Sequence, residues 1–205
     1  MMVGKVLTDK LPALLLRFMI AGYAISSCAA SGLRTVTPSN APPDISYQMP
    51  PDDAPVHQGM SIGGRGYSGH EIVAPAEGVV VFSRDYHIRI HHGLDSNKQD
   101  MYTEHFHVQG RLLKEGDKVR RGQNIGLIGE GKNTSLPHYH YVVVKMAGLR
   151  KFIALNAIDY WFGIDQYKEN LEKGLDIGPF VIPCFDPNVN YPTEARRFTY
   201  PAKCK

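Results

Sequence analysis

A chain of 205 residues, 43% hydrophobic and 21% charged, has the composition of one globular domain with extensions. Its formal net charge of +3 excludes the strongly basic surface that marks a nucleic-acid partner. Removing Lys5, Lys10, Arg17 and Asp9 at the front leaves 20 basic and 19 acidic residues, so the small excess belongs largely to the N-terminus.

Residues 1–28 read as a targeting segment. Lys5 and Lys10 precede a mostly apolar run from Leu11 to Ile25, interrupted by Arg17 and too short to span a bilayer. The run ends in Ile25-Ser26-Ser27-Cys28, which resembles the site at which a lipoprotein cysteine is lipidated. The alternative is an N-terminal helix with a chance cysteine. Two or more acyl chains on Cys28 would hold the protein stably to a membrane. Ala29, rather than Asp, follows the cysteine, which favours the outer membrane of a bacterial envelope.

Residues 29–55 read as a linker, punctuated by Pro38, Pro42, Pro43, Pro50, Pro51 and Pro55; such chain is stiff and buries little. Residues 56–150 read as one domain, β over 56–147. Ile72-Val73 and Val79-Val80-Val81-Phe82 lie in one apolar stretch. Tyr86 to His91 alternates, with Ile88 and Ile90 on one face. Met101 to Val108 alternates too, which puts Thr103, His105 and His107 on the face opposite Tyr102, Glu104 and Phe106. Glu115-Gly116-Asp117 and Gly122-Gln123 are turns, Arg120-Arg121 a solvated one; Asn124–Ile128 and His138–Met146 are strands around a loop from Gly129 to Pro137. Residues 151–205 hold a helix over 156–173, capped by Asn156 with Asp159 three residues on, and a tail expected to pack on the domain. Ile158, Trp161, Phe162 and Leu171 form its apolar stripe and Gly174 ends it. The fold class is mostly β: an antiparallel sandwich or partly open barrel with a C-terminal helix. In an exported chain Cys184 and Cys204 have one pairing open to them; the alternative is two buried thiols.

The nine histidines are not scattered. His105 and His107 share one strand, His138 and His140 another, and residues i and i+2 of a strand project the same way. Side by side, the two strands would gather four imidazoles in one cleft. His57 and Ser61, four apart, share a face as well. Neutral imidazole is the commonest metal ligand and a ready acid or base near neutral pH. A catalytic zinc takes three protein ligands and leaves a position for water.

Six segments stand in order along the chain: His57-Gln58-Gly59-Met60-Ser61, Ile72 to Val80, Ile88 to Gly93, His105-Phe106-His107-Val108, Lys114 to Gln123 and Pro137-His138-Tyr139-His140-Tyr141. Together they resemble the lysostaphin-type (LytM-like) peptidoglycan metallopeptidases. The resemblance covers residues 57–146. The nine-residue interval to Gly116 makes His107, not His105, the family histidine. The resemblance implies His57 and His140 as zinc ligands and His107 and His138 as catalytic helpers. It departs at Ser61, where the family has a ligand Asp and a neutral hydroxyl is a poor replacement. Glu71 or His70, or Asp52 and Asp53, are candidate substitutes. A second register sets Glu71 at the Asp position but puts Tyr67 where the histidine belongs.

Two functions follow. One is a zinc endopeptidase cutting peptide cross-links in peptidoglycan. The other is a degenerate relative that binds the wall or activates a cell-wall amidase. A biotinyl- or lipoyl-type carrier fits the glycine turns but has no modification turn and leaves the histidines unexplained.

Overall fold

The computed structural model describes residues 35–36, 44–48, 59–110, 113–129, 136–148, 151–192 and 197–205. In chain order the first strands are β1 (Thr35–Val36), β2 (Asp44–Gln48), β3 (Gly59–Gly63), β4 (Glu71–Val73), β5 (Gly78–Arg84), β6 (His87–Leu94) and β7 (Asp100–Phe106). There follow β8 (Val108–Gln109), β9 (Lys118–Val119), β10 (Asn124–Ile128), β11 (His138–Met146), β12 (Phe152–Leu155), a 3-10 turn (Ala157–Tyr160), helix α1 (Ile164–Glu172) and β13 (Phe180–Val181). The fold is mostly β, built of open sheets.

The large sheet runs β2-β3-β11-β7-β6-β5-β9, with every pairing antiparallel. The first half of β11 pairs with β3 and its second half with β12. Strict alternation explains these strands. Ile88 and Ile90 of β6, Met101, Thr103 and His105 of β7, and Tyr139, Tyr141 and Val143 of β11 point inward and are buried. Each of those isoleucines stabilises the fold by roughly 1.5–3 kcal/mol. Asp85 and Tyr86, both at positive φ, turn the chain from β5 into β6, the backbone that a two-residue hairpin loop requires. A three-stranded sheet, β4-β10-β8, and the C-terminal segment complete the core around Trp161, Phe198 and Tyr200.

Within the proline-punctuated stretch, Asp44–Gln48 forms β2. Between Pro43 and Pro50 the chain Asp44-Ile45-Ser46-Tyr47-Gln48 has no proline, so its backbone donors are complete and it pairs along β3. The expected helix over 156–173 is broken in two. Asn156 caps only the 3-10 turn, its Oδ1 accepting from Ile158 N at 3.1 Å. Trp161 then leaves helical geometry to bridge Phe198, and Gly163, at φ +83, restarts the chain into α1. Ile164 is buried while Leu171 is 41% exposed, so the stripe is not the one expected. The C-terminal stop does form. Gly174 N donates to Leu171 O and Leu175 N to Asn170 O, the Schellman pattern. Arg121 is not solvated. It is buried, donates to the carbonyls of Pro75 (2.6 Å) and Arg197 (2.7 Å), and lies over Tyr191. Cys184 and Cys204 form a disulfide.

Candidate active site

The outer face of the large sheet carries the site, because the register lines its residues up in rows. Across one row stand His87, Phe106, His140 and Ser61, on β6, β7, β11 and β3. His140 and Ser61 are direct cross-strand partners, and Ser61 Oγ lies 3.2 Å from His140 Nδ1. One step along β11, His138 stands opposite Gly63. Gly63 sits at φ +144, and a Cβ there would lie 2.7 Å from the Pro137 carbonyl. Only glycine lets β3 approach His138 this closely.

His107 reaches His138 by leaving its strand. β7 ends at Phe106, and His107 adopts φ +63 before the chain enters β8. That left-handed residue swings its ring to 4.4 Å from that of His138, centroid to centroid. The expectation that His105 and His107 share a face is therefore corrected. Alternation holds through His105, which points into the core, and stops one residue before His107. Of the four histidines on β7 and β11 that the spacing groups together, His107, His138 and His140 share the outer face, and His105 is not among them.

The His138 tautomer follows from its partner. Its Nδ1 stands 3.0 Å from the Leu136 carbonyl, which can only accept. The ring proton therefore sits on Nδ1, and neutral His138 presents Nε2 as a lone pair.

His105 belongs to a buried chain of hydrogen bonds. His92 Nδ1 meets the Glu77 carbonyl (2.7 Å), and His92 Nε2 meets Thr103 Oγ1 (2.8 Å). Thr103 Oγ1 meets His105 Nε2 (2.7 Å), and His105 Nδ1 meets the Tyr139 hydroxyl (2.6 Å). The Glu77 carbonyl fixes the direction. His92 donates through Nδ1, so Thr103 donates to His92, His105 donates to Thr103, and Tyr139 donates to His105. Every donor is used once with each imidazole neutral. Burial drives His105 well below the ordinary histidine range, with His92 and His87 adding to it, and burial raises Tyr139. The chain ties β7 to β11 at Tyr139, between the two outward histidines.

Glu71 and His70 are engaged with the C-terminal segment. Glu71 Oε1 pairs with Lys203 Nζ at 2.8 Å, which holds its carboxyl below the usual range, and His70 Nε2 donates to the Lys203 carbonyl at 2.7 Å. His57, Asp52, Asp53 and Cys28 lie outside the described residues. Among the described residues no three His, Cys, Asp or Glu side chains gather as a metal-binding group. Among the described residues the family's metal position holds one imidazole, His140, and one neutral hydroxyl, Ser61. A catalytic zinc takes three protein ligands, so these two alone would not hold one.

Sequence reasoning missed a cluster in the next row. Glu104, 5% exposed, is bonded by His87 through Oε2 and by Arg89 Nε through Oε1 at 2.7 Å. Burial alone would raise its carboxyl, but the His87 and Arg89 hydrogen bonds outweigh it and hold the group below the usual range. The alternation of β6 against Glu104 was a visible signal, though nothing in the sequence showed burial of the acid.

Residues 55–151 match the model of Peptidase family M23. The chain is 32% identical over 76 residues to the peptidoglycan DD-endopeptidase ShyA of Vibrio cholerae, covering 37% of this chain and 18% of that protein. It is 44% identical over 39 residues to the peptidoglycan DD-endopeptidase ShyC of the same organism, covering 19% and 9%. The chain thus spans less than a fifth of these curated relatives. Among solved structures, a zinc-containing peptidase from Vibrio cholerae aligns at 22% identity and TM-score 0.44 over 59% of this chain and 38% of that one. The lysostaphin catalytic domain from Staphylococcus simulans aligns at 18% identity and TM-score 0.43 over 59% and 86%.

Proposed function

We propose that this chain, whose residues 55–151 are a Peptidase family M23 domain, acts as an endopeptidase on the peptide cross-links of peptidoglycan. The observation that carries the reading is the meeting of His107 and His138, one step along the sheet from His140. The match to a DD-endopeptidase supports the substrate class. His138 has its proton fixed on Nδ1, so its Nε2 can take a proton from the attacking water and pass it to the leaving amine as the C–N bond breaks, and His107 beside it can donate to the developing oxyanion. Zinc would supply an activated water in this chemistry. The described residues do not complete its site, and His57, the remaining imidazole of the resemblance, lies outside them. The same reading makes the chain an envelope lipoprotein, anchored through Cys28 in the outer membrane and facing the periplasm.

A second reading is favoured by the Ser61–His140 hydrogen bond. A hydroxyl at the position of an anionic ligand leaves a scaffold that binds wall peptides, or activates a wall amidase, without cutting. Zinc content and cleavage of cross-linked muropeptides separate the two, measured on the native chain, Ser61→Asp and His138→Ala. Zinc near one per native chain, with cleavage lost in His138→Ala, is the expected result. A native chain that holds no zinc and cuts nothing, beside a Ser61→Asp chain that gains the metal, overturns the endopeptidase in favour of the binder.

A further inference from the structure

We infer that Arg89 is the carboxylate-binding residue of a subsite on the same sheet face as His140, and that its ligand is the C-terminal carboxylate of a wall peptide. The inference rests on the wall-peptide reading but holds for cutting and for binding alike.

Placement comes first. Arg89 pairs with Glu104 across β6 and β7, and Glu104 pairs with Val142 across β7 and β11. Arg89 therefore stands one row in from the row of His87, Phe106 and His140, on the same face. Two strand spacings and two residues of rise put it about 12 Å from His140, the length of three or four residues of extended peptide. Beyond it the face closes: Phe152 of β12 packs edge-on against Tyr102 at 5.2 Å, with Val142 and Val144 buried beside it. A peptide laid from the histidines along this face reaches the Arg89 guanidinium after three or four residues and meets packed aromatic side chains past it, so the guanidinium is the charged group placed to receive its terminal carboxylate.

The side chain is built for an anion. The guanidinium lies over the Phe152 ring at 3.9 Å and near Phe82 at 5.8 Å, and its Nε is bonded to Glu104. Aromatic stacking and one fixed hydrogen bond set its plane before any ligand arrives. The terminal nitrogens have no hydrogen-bond partner among the described residues, and the side chain is 23% exposed. Planar paired donors of this kind match a carboxylate in two parallel hydrogen bonds. Glu104 takes only Nε of Arg89 and is itself held by His87 through its other oxygen, so a ligand carboxylate would meet the terminal nitrogens.

Binding of a synthetic stem tetrapeptide, measured by calorimetry on the full-length chain, tests this. The free acid is compared with its C-terminal amide, on native protein and on Arg89→Gln and Arg89→Lys chains. The native protein is expected to prefer the acid at least tenfold. Arg89→Gln abolishes the preference, and Arg89→Lys, which keeps the charge without the planar fork, retains part of it. Thermal melting of each variant establishes that it is folded, and the acid-to-amide ratio on native protein alone decides the matter if a variant does not fold. Equal binding of acid and amide by the native chain overturns the assignment of Arg89 and leaves the wall-peptide reading standing. Binding of neither overturns both.

Discussion

His105 occupies a fully buried place in a chain of hydrogen bonds whose direction is set by one backbone carbonyl, and this has a consequence for stability. The folded protein holds the imidazole neutral, its pKa well below the ordinary histidine value through burial and the neighbouring His92 and His87. The unfolded chain takes up a proton near pH 6.5. The sign follows: a histidine depressed in the folded state costs nothing above about pH 6.5 and destabilises the fold progressively as pH falls below it, by up to about 1.4 kcal/mol per pH unit. Urea unfolding of native and His105→Gln chains between pH 7 and 5 measures this. The variant loses stability at pH 7, because Tyr139 and Thr103 lose their partner, but its stability falls less steeply on acidification. Parallel curves would refute the neutral buried assignment.

At the scale of elements, the break before α1 rests on one backbone angle. Gly163 sits at φ +83, and a Cβ added there would meet only Phe180, at 3.9 Å. The penalty for Gly163→Ala is therefore conformational rather than steric, about 1–2 kcal/mol. Asn, which tolerates left-handed backbone, should recover part of it. Melting temperatures of the two variants check this, and an Ala variant that melts with the native chain would contradict it. The same element shows how far the sequence could be read. β10 and β11 were legible residue by residue, because each is a run with turn residues at both ends. The Asn156 cap and the Gly174 stop were legible too, since capping is local. The break between them was not, because Trp161 is drawn out of the helix by Phe198, 37 residues away. His107 was hidden for a related reason: alternation predicts side-chain faces only while the strand lasts, and the strand ends at Phe106. That His138 and His140 share a face was readable because they lie within one strand, where spacing fixes the face; Ser61 was set beside them only by the resemblance, since spacing does not say which strands are neighbours.

At the largest scale described, the C-terminal segment bonds to β4 and to the chain just after it. Val73 N donates to the Pro201 carbonyl, Thr199 N to that of Pro75, and Lys203 N to that of Glu71. Lys203 also pairs with Glu71, and Arg121 holds the carbonyls of Pro75 and Arg197 together from below. The Cys184–Cys204 disulfide, 20 residues apart in sequence, ties the segment to the chain that follows β13. Closing such a loop stabilises by about 3 kcal/mol through the unfolded state. The strap reaches the site only indirectly, since β4 lies in the small sheet and His138 in the large one. Reduction should therefore lower the unfolding free energy by about 3 kcal/mol and speed amide exchange at Val73 and Thr199, while exchange along β11 quickens only by that global loss. Hydrogen exchange on the oxidised and reduced chains would show this order. If reduction opened β11 as readily as β4, the strap would be part of one cooperative unit with the histidine face, and the site would depend on the oxidised state of the tail.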